Sequence, residues 1–548
     1  MSLMSSGARA RRWVLLGLSA LLLTSPSLAA LSESARLSDV SDTDKGRCVA
    51  LENEDLSDLQ DAPTQLVDAR VAPAVRDDPA QCLVSGYVVP QVGFELRLPS
   101  SGWNGKLMVV GNAGWGGGLS AASCARHVKR GYACVTTNAG HSGAGTDGLW
   151  ASNDLPAQVD FAYRSIHVVT LAAKEITRRY YSREPQRSYF VGCSTGGYQG
   201  LIEAQRFPWD FDGIIAGAPD MDEARLTMRE LWSTRVFLDA QGKAILDDES
   251  LNILHQAVLA QCDRDDGLAD GIISNPLSCR FDPSTLACKP GKSTQCLTRS
   301  QIDAVRRIYD GPPEPREASG IRGVLPGSEL AWSNPVDGLG GTVETSLANG
   351  FFRYMVYGAT PQWTAANYDF ARDDKRLGLA ALYSDTNPDL RRLKAAGTKL
   401  LVYQGWNDII ERPTAIVDYY ETVEKVMGGQ EATQSFFRLF MIPGMSHCGG
   451  GVGAANVNYI RYLEDWVEKR ELPEHLLGHH ISDNYLASLP PGSVFNVTFD
   501  DNSGVTAPVT FTRPIYPYPK YARYTGVGDP SDAANFVSYE PVTTLKDH

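Results

Sequence analysis

The stretch Ser188–Gly200 reads Ser-Tyr-Phe-Val-Gly-Cys-Ser-Thr-Gly-Gly-Tyr-Gln-Gly. Tyr189–Val191 is apolar and has the look of a strand end, Gly192-Cys193-Ser194-Thr195-Gly196 fits G-x-S-x-G, and a helix-like run continues to about Phe207. A strand, a tight turn and a helix are the setting in which this motif lifts a serine hydroxyl above a sheet. The turn is strained, so small residues must flank the serine. Gly192 and Gly196 meet that need, and Gly197 leaves room for close packing. Alone, the motif also describes any glycine-rich turn, so the surrounding chain decides.

Working outward, a strand–helix rhythm surrounds this stretch. Leu83–Leu98 alternates like the antiparallel start of a sheet. Lys106–Val110 is a short buried-type strand running into the glycine-rich loop Gly111–Gly118, and Tyr132–Thr137 is another, followed by the glycine-rich loop Asn138–Gly148. Val159–Tyr180 has helical spacing at Ala162, Ile166, Val169, Ala173 and Ile176. Gly213–Gly217 is a further strand, ending in Ala218-Pro219-Asp220. From 221 to 396 the rhythm stops, and this stretch is expected to be an inserted domain. It resumes with strand Lys399–Gln404, helix Pro413–Val426, strand Phe436–Ile442 and a closing helix, Ala454–Lys469. Leu31–Asp78 reads as irregular, and the chain beyond Lys469 as proline-rich with strand-like pieces. The expected layout is a signal peptide at 1–29, a first α/β part at 30–220, the insertion at 221–396 and a second α/β part at 397–548. Such alternation predicts a mostly parallel sheet with helices on both faces, with ligands bound beyond the strand C-termini.

The net charge of −13 over 548 residues argues against a nucleic-acid surface and mildly against anionic membranes. Met1–Ala29 has a basic start (Arg9, Arg11, Arg12), an apolar run, Trp13–Leu23, and a small-x-small end, Ser27-Leu28-Ala29, as a secretory signal does. The apolar run is too short for a membrane anchor. A secreted or periplasmic protein is expected. Ten cysteines in an exported chain imply disulfides. The expected pairs are Cys193–Cys448, Cys262–Cys279, Cys288–Cys296 and Cys48–Cys82, which leaves Cys124 and Cys134 for each other. The count alone leaves connectivity open.

Ser194, Asp408 and His447 each fall just past an expected strand end, in the chain order of α/β-hydrolases. A serine hydroxyl needs a base within hydrogen-bond reach. His447 is the candidate base and Asp408 the carboxylate that orients it. Cys193 precedes the serine and Cys448 follows the histidine. A bridge between them would hold their Cα atoms about 4.4–6.8 Å apart, close enough for a serine and its base. His479 and His480 are rival bases in a polar segment, His141 lies in a glycine loop near the expected site, and Asp220 is a rival acid. The oxyanion donors expected are the Thr195 amide and an amide of the Asn112–Gly118 loop, with Gly114 favoured.

Cys262–Ile273 reads Cys-Asp-Arg-Asp-Asp-Gly-Leu-Ala-Asp-Gly-Ile-Ile. The Asp263, Asp266 and Asp270 side chains, with the Leu268 and Ile272 carbonyls, suit a hard cation such as Ca2+, here a structural ion. The loop lacks the bidentate glutamate of an EF-hand. A solvated acidic turn is the plainer alternative.

These residues resemble the tannase and feruloyl esterase family of α/β-hydrolases. The resemblance is carried by Gly192–Gly197, Asp408 in Gly-Trp-Asn-Asp, Ser446-His447-Cys448-Gly449-Gly450 and the acidic loop, and it covers nearly the whole mature chain. It implies an α/β-hydrolase fold with a large inserted lid domain carrying calcium, a Ser194–Asp408–His447 triad bridged by Cys193–Cys448, and a small-molecule aromatic ester as substrate. One departure is Asn138-Ala139-Gly140-His141, where the family often has Asp before Gly-His. The family also includes hydrolases of mono(2-hydroxyethyl) terephthalate, an alternative substrate. Phe351, Phe352, Tyr354, Tyr357 and Trp363 are candidate lid walls, although clustered aromatics are more often core. A calcium-stabilised binding protein without turnover is the competing class.

Overall fold

The computed structural model describes residues 41–541, apart from 76–77, 120, 292–293, 313–321, 335–337, 340–346, 358–362, 364–367, 371–377 and 483–506. The expected signal at 1–29 lies outside these residues.

A nine-stranded sheet runs through the molecule in the order β1-β2-β3-β5-β4-β6-β7-β8-β9. Its strands are β1 Thr64–Ala72, β2 Gln81–Val88, β3 Val92–Pro99, β4 Lys106–Val110, β5 Ala133–Thr137, β6 Arg187–Ser194, β7 Gly213–Pro219, β8 Lys399–Gly405 and β9 Phe437–Ile442. β1, β2, β3 and β5 pair antiparallel, whereas β5, β4, β6, β7, β8 and β9 pair parallel. β1 falls in the segment expected to be irregular. It is an edge strand with Val67 in solvent, so it lacks the apolar alternation that marks a half-buried strand.

The parallel strands are apolar at successive positions because helices cover both faces. Leu107 and Val109, Ile214 and Ala216, and Leu400 and Val402 face one core, built with Ser165–Tyr181 and Pro413–Met427. Met108 and Val110, Ile215, and Leu401 and Tyr403 face the other, closed by Ala121–Lys129 and Tyr459–Glu464. In chain order the helices used below are α1 Ala121–Lys129, α2 Ser165–Tyr181, α3 Thr195–Arg206, α4 Glu223–Phe237, α5 Pro413–Met427 and α6 Tyr459–Glu464. The closing helix starts later than its spacing suggests, because the Asn458 side chain caps it.

Between β7 and β8, the described residues add no strand to the main sheet. They carry their own apolar core around Phe237, Leu254, Val305 and Trp332. Near the C-terminus, Leu476–Ile481 pairs with Val509–Ile515, and Tyr521–Tyr524 with Phe536–Tyr539. All ten cysteines are paired, in the five combinations expected. Among the described residues no helix is long and apolar enough to cross a membrane.

Candidate active site

β6 ends at Ser194 and α3 begins at Thr195, so the serine occupies the turn itself. Its φ of 61° and ψ of −127° lie where L-residues are strained, at a cost of about 1–3 kcal/mol that the surrounding packing must offset. The approach of strand and helix explains the flanking residue. A Cβ on Gly192 would stand 2.5 Å from the carbonyl oxygen of Gly196.

Asp408 follows β8 and His447 follows β9, so adjacent parallel strands deliver both to the same sheet edge. His447 Nδ1 lies 3.0 Å from Asp408 Oδ2. Asp408 is buried. Its Oδ1 accepts from the amides of Ile410 and Glu411, each at 3.0 Å, and its Oδ2 accepts from Gln404 Nε2 at 2.9 Å. Burial pushes this carboxyl up, but His447 and the amide donors hold it below the ordinary carboxylate range. An ionised carboxylate only accepts hydrogen bonds. Nδ1 therefore carries the imidazole proton, and Nε2 is left as the basic nitrogen.

The Cys193–Cys448 disulfide joins the residue before the serine to the residue after the histidine, with Cα atoms 5.9 Å apart. Ser194, His447, Cys448 and Gly114 line one cavity of about 670 Å³. Val110, Val191, Ile215 and Tyr403 give it apolar walls, and Arg126 of α1 and Arg130 just after it add a basic side beside His127. Burial and the two arginines push His127 far down, so it is a neutral imidazole there.

The loop after β4 spends most of its amides on the fold. Gly111 donates to Val191, Asn112 to Gln199 Oε1, Trp115 to Gly145, Gly116 to Ala113 and Gly117 to Gly143. Among the described residues the amides of Ala113 and Gly114 have no such partner. Gly114 has φ +53°, and a Cβ there would meet the Gly145 carbonyl oxygen at 2.4 Å, so only glycine fits.

The rival residues sit elsewhere. His141 braces the same loop, with Nε2 2.7 Å from the Trp115 carbonyl and its ring stacked on Trp150. His479 and His480 lie on the strand Leu476–Ile481, bonded to Asn456 and Gly453, and neither lines the cavity. Asp220 meets Thr195 Oγ1 at 2.9 Å, and the carboxylate bonded to Nδ1 is that of Asp408. Phe351, Phe352 and Trp363 pack with Trp115, Phe161 and Tyr383 in a buried cluster. Among the described residues of that region, Leu347 alone reaches the cavity lining.

The acidic loop closes on itself through Cys262–Cys279. Asp263 accepts from the amides of Asp270 and Gly271, and Asp266 from the Leu268 amide at 3.0 Å and the Ser274 hydroxyl at 2.6 Å. Burial pushes Asp266 up to about 6. Asp270 is paired with Arg513 at 2.7 Å. No three acidic, histidine or cysteine side chains among the described residues converge on one point. The donors are all oxygens, which fits a hard cation at Asp263 and Asp266 with nearby carbonyls, while Asp270 already has a cationic partner. Arg513 lies over 240 residues away in the chain, and no sequence signal ties it to this loop.

Residues 79–539 match a family model described as tannase and feruloyl esterase. The mono(2-hydroxyethyl) terephthalate hydrolase of Piscinibacter sakaiensis is 32% identical, over 84% of this chain and 85% of that protein. A probable feruloyl esterase of Arthroderma benhamiae is also 32% identical, over 81% of this chain and 82% of that one. The crystal structure of feruloyl esterase B from Aspergillus oryzae superposes with a TM-score of 0.77 at 26% identity, covering 90% of this chain and all of that one.

Proposed function

Since this chain belongs to the tannase and feruloyl esterase family and is an ester hydrolase of that type, we propose that it is an exported serine esterase for aromatic carboxylic esters, working through Ser194, His447 and Asp408. The observation that carries this reading is the His447–Asp408 bond, tethered through Cys448 to the strained Ser194 turn inside one cavity.

In this mechanism His447 Nε2 takes the Ser194 proton as Oγ attacks the ester carbonyl. Asp408 holds the ring and stabilises the imidazolium that forms. The Thr195 and Gly114 amides receive the oxyanion. His447 then returns the proton to the departing alcohol, and a water activated by the same nitrogen cleaves the acyl-enzyme. Five disulfides suit an oxidising compartment, secreted or periplasmic. A terephthalate monoester is a second reading, favoured by Arg126 in the cavity lining, where Arg130 is already paired with Glu464. A panel of methyl ferulate, methyl gallate, chlorogenate and mono(2-hydroxyethyl) terephthalate separates the two. Turnover of none of the four would overturn the aromatic-ester reading.

Gly114→Ala tests the second oxyanion donor. Its Cβ displaces the loop, and kcat is expected to fall about a hundredfold, the usual effect of removing one donor. Wild-type kcat in this variant would move the donor elsewhere.

Calcium is the ion proposed for Asp263, Asp266 and the Leu268 and Ile272 carbonyls, with a structural role. EDTA is expected to lower the melting temperature while initial activity at 25 °C changes little, because a ligand of the native state stabilises by mass action. An unchanged melting curve, with no metal found by elemental analysis, would leave the loop an ordinary acidic turn.

A further inference from the structure

The cavity at Ser194 is lined unevenly. Its described lining contains no Asp or Glu, and its charged residues are Arg126 and Arg130, in a chain of net charge −13. Ser123, Arg126, His127 and Arg130 stand at i, i+3, i+4 and i+7, so they share one face of α1, continued one residue past its end. A helix lying on a sheet normally turns an apolar stripe inward. Here Cys124 and Val128 fill the core, and the polar face beside them borders the cavity.

The cavity floor connects this face to the serine. Tyr403 of β8 lies across β7 at Gly217, where a Cβ would collide with its ring and hydroxyl. Gly217 pairs with Cys193, the residue before the serine. The Tyr403 ring stacks on Tyr459 of α6 with centroids 4.0 Å apart. Burial pushes the Tyr403 hydroxyl up to about 12, and the charge of Arg126 opposes that rise. The arm between Ser194 and Arg126 is therefore apolar and aromatic along its length and cationic at its end. That combination suits a flat apolar body with an anion at its far end.

We propose that this arm is a subsite for a carboxylate carried by the ester, with the Arg126 guanidinium as its receptor. Arg126 is then a specificity-determining residue, an assignment that rests on the serine mechanism proposed above. A guanidinium meets a carboxylate through two parallel N–H···O bonds. His127, held neutral, accepts from Arg126 Nε at 3.3 Å and orients the group. Arg130 has a smaller part, because Glu464 holds it at 3.1 Å and also holds Lys106 at 2.7 Å. The carboxylate can belong to the acid half or the alcohol half of the ester, and Arg126 recognises it alike.

The test uses the full chain and two matched pairs of esters. Monomethyl terephthalate and methyl p-toluate differ by a carboxylate on the acid half. The esters p-carboxybenzyl acetate and p-methylbenzyl acetate differ by one on the alcohol half. The quantity read is the ratio of kcat/KM on the charged ester to that on its neutral partner. Arg126→Gln is expected to lower this ratio about tenfold to a hundredfold in at least one pair, as for loss of a hydrogen-bonded charge partner. The loss should fall on KM, because a carboxylate remote from the reacting carbonyl is bound alike in the ground and transition states. Arg126→Lys should give an intermediate ratio, since it keeps the charge and loses the planar fork. The affected pair shows which half carries the carboxylate.

A ratio in Arg126→Gln equal to that of the wild type in both pairs overturns the subsite. Both esters of a pair meet the same enzyme sample, so partial unfolding of a variant cancels from the ratio. If the wild type turns over none of the four, terephthalate and p-(hydroxymethyl)benzoate are titrated calorimetrically into Ser194→Ala. Binding that an added Arg126→Gln weakens by about tenfold or more supports the subsite. Binding of neither, or binding that Arg126→Gln leaves as it was, overturns it. Ser194→Ala also reads the serine mechanism separately. If it is inactive on methyl p-toluate, an unchanged ratio in Arg126→Gln overturns the subsite alone, whereas an active Ser194→Ala overturns the serine mechanism and the assignment with it.

Discussion

Replacing Ser194 by alanine is expected to lower kcat on an aromatic methyl ester by about 10⁵–10⁶-fold, the loss typical when the nucleophile of a triad is removed. The residual rate would come from binding and the oxyanion donors, which the substitution leaves in place. The protein should stay folded, because alanine keeps the Cβ and gives up only a hydroxyl at a turn already held by β6 and α3. The strained φ and ψ of Ser194 add a second readout. Glycine relieves strain of about 1–3 kcal/mol at such a backbone, against a smaller entropic cost on folding. Ser194→Gly should therefore be as inactive as Ser194→Ala yet melt above it. Kinetics, fluorophosphonate labelling and a thermal melt on both variants decide this. Near-native turnover in either would place the nucleophile elsewhere.

The double variant Cys193→Ala/Cys448→Ala is expected to lose most of its turnover at a temperature where circular dichroism shows it folded. The bridge closes a loop with a sequence separation of 255, for which chain entropy alone gives about 5 kcal/mol of stabilisation. Melting should fall accordingly. Position matters more for catalysis. Each cysteine adjoins a proposed catalytic residue, and a misplacement of 1 Å between reacting groups costs on the order of a hundredfold in rate. Without the bridge, His447 is held to the site by its bond to Asp408 and by the loop after β9, and its distance from Ser194 is no longer fixed by a covalent link. A folded double variant with wild-type turnover would reduce the bridge to a clasp on the ends of the intervening chain. Restored turnover in a variant that reforms a bond between these two positions would support the tether.

Much of this was legible in the sequence because it is local. The G-x-S-x-G turn is written in consecutive residues, and the glycines record backbone contacts with the helix that immediately follows. Apolar runs such as Lys106–Val110 and Lys399–Gln404 announce strands buried on both faces. The placement of Ser194, Asp408 and His447 just past strand ends follows from that reading. Cys193 and Cys448 point to each other through their neighbours.

The sequence by itself thus determined the strands of the parallel sheet, the serine turn, the order of the candidate triad and which cysteines adjoin the serine and the histidine. The tertiary structure alone decided which carboxylate meets which partner. Asp220 and Asp408 look alike along the chain, each following a strand end. The sheet order puts β7 beside β6, so Asp220 falls against Thr195. β8 beside β9 brings Asp408 to His447. The same holds for Arg513 on Asp270, for the aromatics of Phe351–Tyr357 turned into a core with Trp115, and for the exposed edge strand β1. The physical reason is that alternation and spacing report which face of an element is apolar. Contacts between distant side chains depend on how strands are ordered and how loops close over them, and no window of sequence contains that information.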